Sequence, residues 1–160
     1  MINYLSKKKH QIWNLDLKNN SILFNNSNLK KIQFVKGNIN NKKNILKLFE
    51  KNNFDHVINF AANTHVDQSN YFPANFCKTN ILGLLNLLEA FKNFRKKKSK
   101  FIHISTDEVF GSLGKKSASF TEESRISPNN IYATTKASSD LLAFNFAKLH
   151  NLNVIVTNCA

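Results

Sequence analysis

The sequence predicts an α/β fold built on a parallel β-sheet that helices cover on both faces. Short runs rich in β-branched and aromatic residues alternate along the chain with longer amphipathic segments. Three of these runs, HVINF, FIHIS and NVIVT, are almost continuously apolar, as strands buried on both faces should be. The sequence shows no internal repeat and no linker, so it predicts a single structural unit.

Five strands are predicted, and residues 1–10 read as the end of a helix that leads into the first of them. The strands are at residues 11–15, 32–35, 56–60, 101–105 and 153–157. Helices are predicted at residues 42–51 and 79–94, where apolar side chains recur at spacings of three and four. A third helix is predicted at residues 128–150, with Ser127 as its N-cap and Pro128 as its first residue.

Composition favours a folded protein of one domain. The chain has 160 residues, of which 42% are hydrophobic, and a formal net charge of +13. All of its basic residues except Arg95 and Arg125 are lysines, and they are spread along the chain. Proteins that read nucleic acid favour arginine, so we predict that the charge reflects composition and that nucleic acid is not a partner.

Cysteine content and hydropathy bear on the compartment. The two cysteines, Cys77 and Cys159, are too few for a disulfide scaffold. Apolar stretches are too short for a membrane span and the first residues carry no apolar signal region. We therefore predict a reduced, cytoplasmic protein with no membrane partner and no metal site.

Ligands of such sheets bind beyond the carboxyl ends of the strands, so the residues that follow each strand are the candidates for function. Small residues and then polar ones follow HVINF at residues 61–67, and a hydroxyl and two acids follow FIHIS at residues 106–108. Asn158 follows NVIVT. Asp16 follows the first strand and is a candidate acid for a ribose.

Tyr132 and Lys136 form the pattern Y-x-x-x-K, and a spacing of four places both on one helical face. A nearby ammonium favours the phenolate, so we expect Lys136 to lower the pKa of Tyr132 and make it a base. Tyr4 and Lys8 have the same spacing, so the pattern alone is weak. Only Tyr132 follows a strand with a hydroxyl and two acids.

Adjacent acids in a strand point to opposite faces, so Asp107 and Glu108 can serve one site only where the strand breaks into a loop. Gly111 makes that break plausible. The alternative interpretation of this cluster is a helix cap or a surface turn.

The strings FAANTHVDQS, TNILGLLNLLEA, FIHISTDEVFGSLG, FTEES, SPNNIYATTKASSD and NVIVTNCA follow one another along nearly the whole chain. Together they resemble the extended short-chain dehydrogenases/reductases of the NAD-dependent epimerase/dehydratase family, and most closely the dTDP-glucose 4,6-dehydratases. The resemblance implies a partial Rossmann-like, doubly wound parallel sheet that lacks its first strand and Gly-rich loop. It also implies an incomplete NAD(P)-binding domain over residues 1–160, without a C-terminal substrate lobe.

The activity that this resemblance implies is a lyase reaction on a nucleotide sugar, with NAD as cofactor. Tyr132 would take the proton of the sugar 4-hydroxyl while Thr106 binds that oxygen. Glu108 would then abstract the C5 proton, and Asp107 would protonate the departing 6-hydroxyl. Lys136 would hold the nicotinamide ribose.

The resemblance also implies binding residues. The cofactor set is Asp16, Asn38, Ile39, Ala61, Ala62, Asn80, Tyr132 and Lys136. The substrate set is Thr64, His65, Thr106 and Asn158. The family pairs through its long helices, so a homodimer is implied for the intact protein.

The sequence departs from the family pattern at the phosphate loop. It has four glycines and no G-x-G-x-x-G spacing, and Asn38 stands where the family usually has an acid. We therefore predict that the chain on its own binds NAD poorly and turns over no nucleotide sugar. Titration of the purified chain with NAD tests this, and micromolar binding would contradict it.

Three alternatives to a truncated dehydratase stay open at this point. They are a non-catalytic remnant or folded binding partner, another NAD-dependent sugar-nucleotide epimerase or dehydratase, and a basic nucleic-acid-binding protein.

Overall fold

The computed structural model of the chain describes residues 1–8, 10–18, 32–114 and 118–159. These residues form two compact units, Met1–Asn38 and Ile39–Ala160, where the sequence predicted one. One unit was predicted because the sequence shows no repeat or linker. The alternation of strands and helices shows where strands occur, but this pattern does not show which strands pair. No helix within these described ranges is long and apolar enough to cross a membrane.

The first unit holds a short helix and two parallel strands. Helix α1 (Ile2–Lys7) precedes strand β1 (Ile12–Asp16), which pairs in parallel with β2 (Ile32–Lys36). Both predicted strands are confirmed; β1 begins and ends one residue later than predicted, and β2 ends one residue later. The Gly37 amide donates to the Asp16 carbonyl at 2.9 Å, so the pairing continues to the carboxyl ends of both strands.

The second unit contains a parallel sheet in the order β3-β4-β5. Its strands are β3 (His56–Asn59), β4 (Lys100–Thr106) and β5 (Val154–Cys159). The parallel pairing predicted from the apolar runs is confirmed. Strand β3 ends one residue earlier than predicted, because the Asn59 side chain accepts a hydrogen bond from the Ala61 amide at 3.1 Å and turns the chain.

Helix α2 (Lys42–Asn52) agrees with its prediction and is capped by Asn41, whose side chain accepts from the Asn44 amide. The predicted helix at 79–94 is instead two segments, a π-helical segment (Cys77–Gly83) and α5 (Leu84–Phe94). They continue from two short helices, α3 (Val66–Tyr71) and α4 (Pro73–Phe76). Apolar spacing does not distinguish a π-turn from an α-turn, which explains the difference.

Helix α6 (Ile131–His150) begins three residues later than predicted, and Asn130, not Ser127, is its N-cap. The Asn130 side chain accepts from the Ala133 amide at 2.7 Å. The Ser127 amide instead donates to the Val109 carbonyl at 3.0 Å, so this residue is held in the loop before the helix. Pro128 likewise precedes the helix.

The core of the second unit forms where α5 packs on the sheet. Phe91 of α5 and Phe101 of β4 are fully buried, with ring centroids 5.5 Å apart in an edge-to-face arrangement. Leu84 and Leu88 of α5 are also fully buried. This packing fixes α5 against the strand that ends in the candidate catalytic residues.

Candidate active site

The candidate site lies at the carboxyl edge of the β3-β4-β5 sheet. Because the three strands are parallel, the residues that follow each of them emerge at this same edge. The first turns of α6 also contribute, since α6 packs against β4 and β5 and against the segment that follows β4.

Strand β4 ends at Thr106 and continues directly into a 3-10 turn, Asp107–Phe110. The Thr106 hydroxyl accepts from the Glu108 amide at 3.3 Å and so caps this turn. The break in the strand that the paired acids required is therefore present. The alternative interpretation of this cluster, a helix cap, is therefore correct for Thr106. The Thr106 side chain also acts on Tyr132.

Tyr132 lies in the first turn of α6 and is 8% exposed. Its pKa is raised above the ordinary value, first because burial disfavours the phenolate and next because the Glu108 carboxylate is near. A hydrogen bond with the Thr106 side chain acts in the opposite direction. The Asp107 carboxylate adds a smaller upward contribution, so the phenol is in the electrostatic field of both acids of the turn.

Lys136 is 2% exposed, and its Nζ donates to the Ile104 carbonyl of β4 at 2.7 Å. Burial lowers the pKa of its ammonium, and the charge of Asp140 opposes that shift. The expectation that Lys136 lowers the pKa of Tyr132 is wrong for this arrangement. The net direction at Tyr132 is upward, because desolvation and nearby carboxylates outweigh the favourable contacts.

Glu108 is held by a residue that the sequence did not indicate. The Asn130 Nδ2 donates to Glu108 Oε2 at 3.1 Å, while the Asn130 Oδ1 caps helix α6. One amide side chain thus connects the end of β4 with the start of the helix that carries Tyr132. The pattern S-P-N-N contained this cap signal, but Ser127 and Pro128 gave a stronger one three residues too early.

The loop after β3 is fixed to the helices by Asn80 of the π-helical segment. Asn80 accepts from the Asn63 amide at 2.8 Å and donates to the Asn63 carbonyl at 3.1 Å. It also donates to the Thr135 hydroxyl of α6 at 2.9 Å. Asn80 is buried, so the structure gives it a role in holding the loop, and its predicted contact with the cofactor stays a prediction.

The remaining predicted residues of the second unit fall into three groups. Exposed or half-exposed residues of the loop after β3 are Ala61, Ala62, Thr64 and His65. Asn158 of β5 donates to the Thr106 carbonyl at 3.1 Å and to Asp140 Oδ2 at 3.2 Å, so its NH₂ group is engaged within the protein. Ile39 is buried and its carbonyl accepts from Asn86, which places it in the core of the second unit.

Asp16 and Asn38 belong to the first unit. Both are exposed, and Asp16 lies at the carboxyl end of β1, where its carboxylate accepts from the Lys18 amide at 3.2 Å. The second Y-x-x-x-K pair is also in this unit. There the Lys8 Nζ lies 5.7 Å from the centre of the exposed Tyr4 ring, and the pair follows no strand.

A family model described as GDP-mannose 4,6 dehydratase matches residues 1–160. Curated relatives include a dTDP-glucose 4,6-dehydratase of Xanthomonas campestris pv. campestris, 40% identical over 134 residues. That match covers 79% of this chain and 38% of the relative. The enzyme of the same description from Streptomyces antibioticus is 41% identical over 81% of this chain and 37% of its own length. The chain thus spans well under half the length of these relatives.

Solved structures similar to this chain also include dTDP-glucose 4,6-dehydratases. A dTDP-glucose 4,6-dehydratase of Streptomyces venezuelae, solved with NAD, matches with a TM-score of 0.86 and 32% identity over 98% of this chain and 48% of its own. The dTDP-glucose 4,6-dehydratase of Bacillus anthracis, also solved with NAD, matches with a TM-score of 0.80 and 32% identity. That match covers 99% of this chain and 49% of the Bacillus chain. A UDP-Glc/GlcNAc 4-epimerase of Campylobacter jejuni shares the fold, with a TM-score of 0.86 at 22% identity over 97% and 47%.

Proposed function

The chain belongs to the GDP-mannose 4,6 dehydratase family, and from this membership we propose that it carries the catalytic segment of a nucleotide-sugar 4,6-dehydratase. The observation that supports the reaction type is the placement of Asp107 and Glu108 on one turn beside Tyr132. Epimerases share this fold, so the fold alone does not select the chemistry. An acid and a base next to the reacting ketone are what an elimination requires.

We propose dTDP-glucose as the substrate class, because relatives that share about two fifths of their aligned residues with this chain are dTDP-glucose 4,6-dehydratases. The product would be a 4-keto-6-deoxy sugar. Within this proposal, Thr64, His65 and Asn158 remain predictions for substrate contact. The cytoplasmic location and the lack of a nucleic-acid partner also remain predictions.

The first step of the proposed reaction is oxidation at C4. Tyr132 takes the proton of the 4-hydroxyl, and Thr106 binds the same oxygen. Because the Thr106 side chain lowers the pKa of Tyr132 against the effect of burial, it is the side chain that favours the phenolate.

The second step is loss of water across C5 and C6. The 4-ketone acidifies the C5 proton, which Glu108 abstracts. The C6–O bond breaks as Asp107 delivers a proton to the leaving oxygen, so one water departs and the charge balances. Asn130 keeps the Glu108 carboxylate oriented through its hydrogen bond, and the 3-10 turn keeps Asp107 next to it.

The side chains at the carboxyl ends of β3 and β4 suit a nicotinamide dinucleotide in size and charge. Ala61 and Ala62 offer small side chains at the carboxyl end of β3, and Lys136 offers an ammonium at that of β4. NAD, when bound, would accept the hydrogen and electron pair that leave C4 and return them at C6. For the adenosine end of NAD, the predicted contacts remain Asp16, Asn38 and Ile39. A contact between NAD and Asn80 of the π-helical segment also remains a prediction.

We also propose that the intact protein pairs with a second copy through its long helices. Large apolar side chains are exposed on two helical segments that contact each other, namely Leu82 on the π-helical segment and Leu141 and Phe144 on α6. Sedimentation equilibrium of the chain is expected to show a dimer that Phe144→Asp dissociates. A monomer at all concentrations would contradict this pairing.

A chimera tests the function without depending on the rest of the enzyme. The region of the Streptomyces antibioticus relative that aligns with this chain is replaced by the chain, and the product of dTDP-glucose and NAD is read by mass spectrometry. We expect a product that has lost one water. The unmodified relative serves as the positive control.

The proposal fails if a folded chimera binds NAD and substrate but forms no dehydrated product. An epimerised sugar without loss of water would instead favour the epimerase alternative. Binding is measured separately by calorimetry, so that a failure to fold is distinguished from a failure of chemistry.

Asn130 provides a prediction with matched variants, since its two side-chain functions can be separated. Asn130→Ser keeps a helix cap but is too short to reach Glu108, whereas Asn130→Asp keeps the cap and adds a negative charge beside Glu108. We expect the free energy of unfolding of both variants to lie within about 0.5 kcal/mol of that of the parent. Asn130→Ala should lower this free energy by about 1 kcal/mol.

In the chimera, Asn130→Ser is expected to slow dehydration about tenfold, the effect of losing one hydrogen bond to a charged group. Asn130→Asp is expected to slow dehydration at least as much, because it removes the same hydrogen bond and places a like charge beside the Glu108 carboxylate. Parent rates in both variants would show that this contact does not act on the base.

A further inference from the structure

A buried histidine and a buried aspartate face each other beneath the candidate site. His103 of β4 is 1% exposed and Asp140 of α6 is 2% exposed. The His103 Nε2 lies 3.6 Å from Asp140 Oδ1, which is longer than a hydrogen bond. In the described part of the chain, neither of these two atoms has a hydrogen-bond partner. The proposed reaction uses neither residue.

The hydrogen bonds around His103 define its tautomer. The Ala61 amide donates to Asn59 Oδ1 at 3.1 Å, so the Asn59 NH₂ group is the one that faces His103 Nδ1, at 3.2 Å. Nδ1 must then accept, and the ring proton is on Nε2, directed at Asp140. Burial, with a smaller contribution from the Lys136 charge, lowers the pKa of His103 to about 3, so the ring is neutral near pH 7.

Every group around Asp140 presents a donor to it. Its Oδ2 accepts from the Ser105 hydroxyl at 2.8 Å and from Asn158 at 3.2 Å, and the His103 Nε2–H faces Oδ1. Burial raises the pKa of Asp140, and the Ser105 and Asn158 hydrogen bonds and the Lys136 charge oppose that rise. This donor arrangement matches the ionised carboxylate, which only accepts.

We propose that Asp140 is a positioning residue for Lys136, whose ammonium it balances as a buried carboxylate that Ser105 and Asn158 hold and that the His103 ring faces. Lys136 and Asp140 are four residues apart on α6 and so lie on one helical face. The Lys136 Nζ donates to the Ile104 carbonyl and the Asp140 carboxylate accepts from the adjacent Ser105 hydroxyl, so both side chains contact neighbouring residues of β4. The charge of Asp140 raises the pKa of Lys136 against the effect of burial. The charged and titratable groups around Asp140 are Lys136 and Tyr132 on its own helix and His103 on β4.

A buried row of polar groups extends from the loop after β3 to Asp140. The Ala61 amide donates to Asn59 Oδ1, the Asn59 NH₂ group faces His103 Nδ1, and His103 Nε2 faces Asp140 Oδ1 at 3.6 Å. Ala61 and Lys136 are the residues proposed to contact the cofactor, so this inference rests on the proposed function. It adds that the two contacts are positioned by one buried row of polar groups.

The first test uses the unmodified chain. Long-range ¹H–¹⁵N correlation NMR reports the His103 tautomer, and we expect neutral imidazole protonated at Nε2 throughout pH 5–8. Protonation at Nδ1, or titration of His103 within this range, would overturn the proposed arrangement of this row of polar groups. No variant and no enzymatic activity are needed for this measurement.

The second test measures Lys136 in Asp140→Asn, a variant of nearly the same shape without the charge. The ¹³Cε signal of Lys136, assigned with Lys136→Arg, is titrated with pH. We expect the midpoint to move to lower pH, so that the neutral amine fraction at a given pH rises about tenfold, as one nearby opposite charge implies. The control is Glu50→Gln, an exposed acid on α2, which should not move the midpoint.

Ser105→Ala provides a milder variant, because it removes one hydrogen bond to Asp140 and keeps the charge. It is expected to move the Lys136 midpoint in the same direction by a smaller amount. An unchanged midpoint in both variants would overturn the positioning role. Since these readouts need no turnover, they can fail while the chimera is active, and they can succeed while it is inactive.

Discussion

Glu108→Gln in the chimera is expected to slow the elimination by orders of magnitude while leaving oxidation at C4 in place. Glutamine keeps the shape of the side chain and its contact with Asn130 but cannot accept the C5 proton. We expect dehydration to slow by about 10²–10⁴-fold, the usual contribution of a positioned base. Absorbance of the reduced cofactor reports the oxidation, and exchange of the C5 hydrogen in D₂O reports the action of the base.

Two matched variants separate the roles of the neighbouring acids. Asp107→Asn should retain exchange at C5 and lose the departure of water, because it removes the acid and keeps the base. Glu122→Gln changes an exposed acid outside the site and should leave the rate unchanged. If Glu108→Gln still exchanged the C5 hydrogen at the parent rate, Glu108 would not be the base.

Gly111→Ala is expected to damage both the stability of the second unit and the site. Gly111 has φ 96° and ψ −149°, a conformation that essentially only glycine adopts. A Cβ there would lie 2.7 Å from the Ser127 carbonyl oxygen, which is backbone and cannot rotate away. The Ser127 amide is bonded to Val109, so the loop before α6 resists the shift.

We expect Gly111→Ala to lower the free energy of unfolding by about 1–3 kcal/mol from backbone strain alone, with the overlap adding to it. The Gly111 amide donates to the Glu108 carbonyl at 3.0 Å, so the chimera should also lose activity as the turn shifts. Gly37→Ala is the control, because its Cβ would meet only the end of the flexible Leu15 side chain. Urea denaturation measures both, and equal stabilities would contradict the prediction.

The strands and the Tyr132 helix were predictable because their signals are local. Continuous apolar runs marked β3, β4 and β5 to within two residues, and the amphipathic period marked α2. The start of α6 was wrong, because Ser127 and Pro128 form a valid cap signal and nothing local shows that the 3-10 turn holds Ser127. The π-helical segment was missed because apolar spacing does not reveal an extra residue in a turn.

The sequence by itself determined which residue types could perform the proposed reaction and that Thr106, Asp107 and Glu108 would follow a strand at the carboxyl edge of a parallel sheet. Only the tertiary structure decided their electrostatics. The Lys136 ammonium binds the Ile104 carbonyl, and burial with Glu108 raises the pKa of Tyr132, contrary to the expectation from spacing. Helical spacing states which side chains share a face. Desolvation and the direction of each hydrogen bond depend on residues distant in the chain, such as His103 and Asp140, that folding brings together.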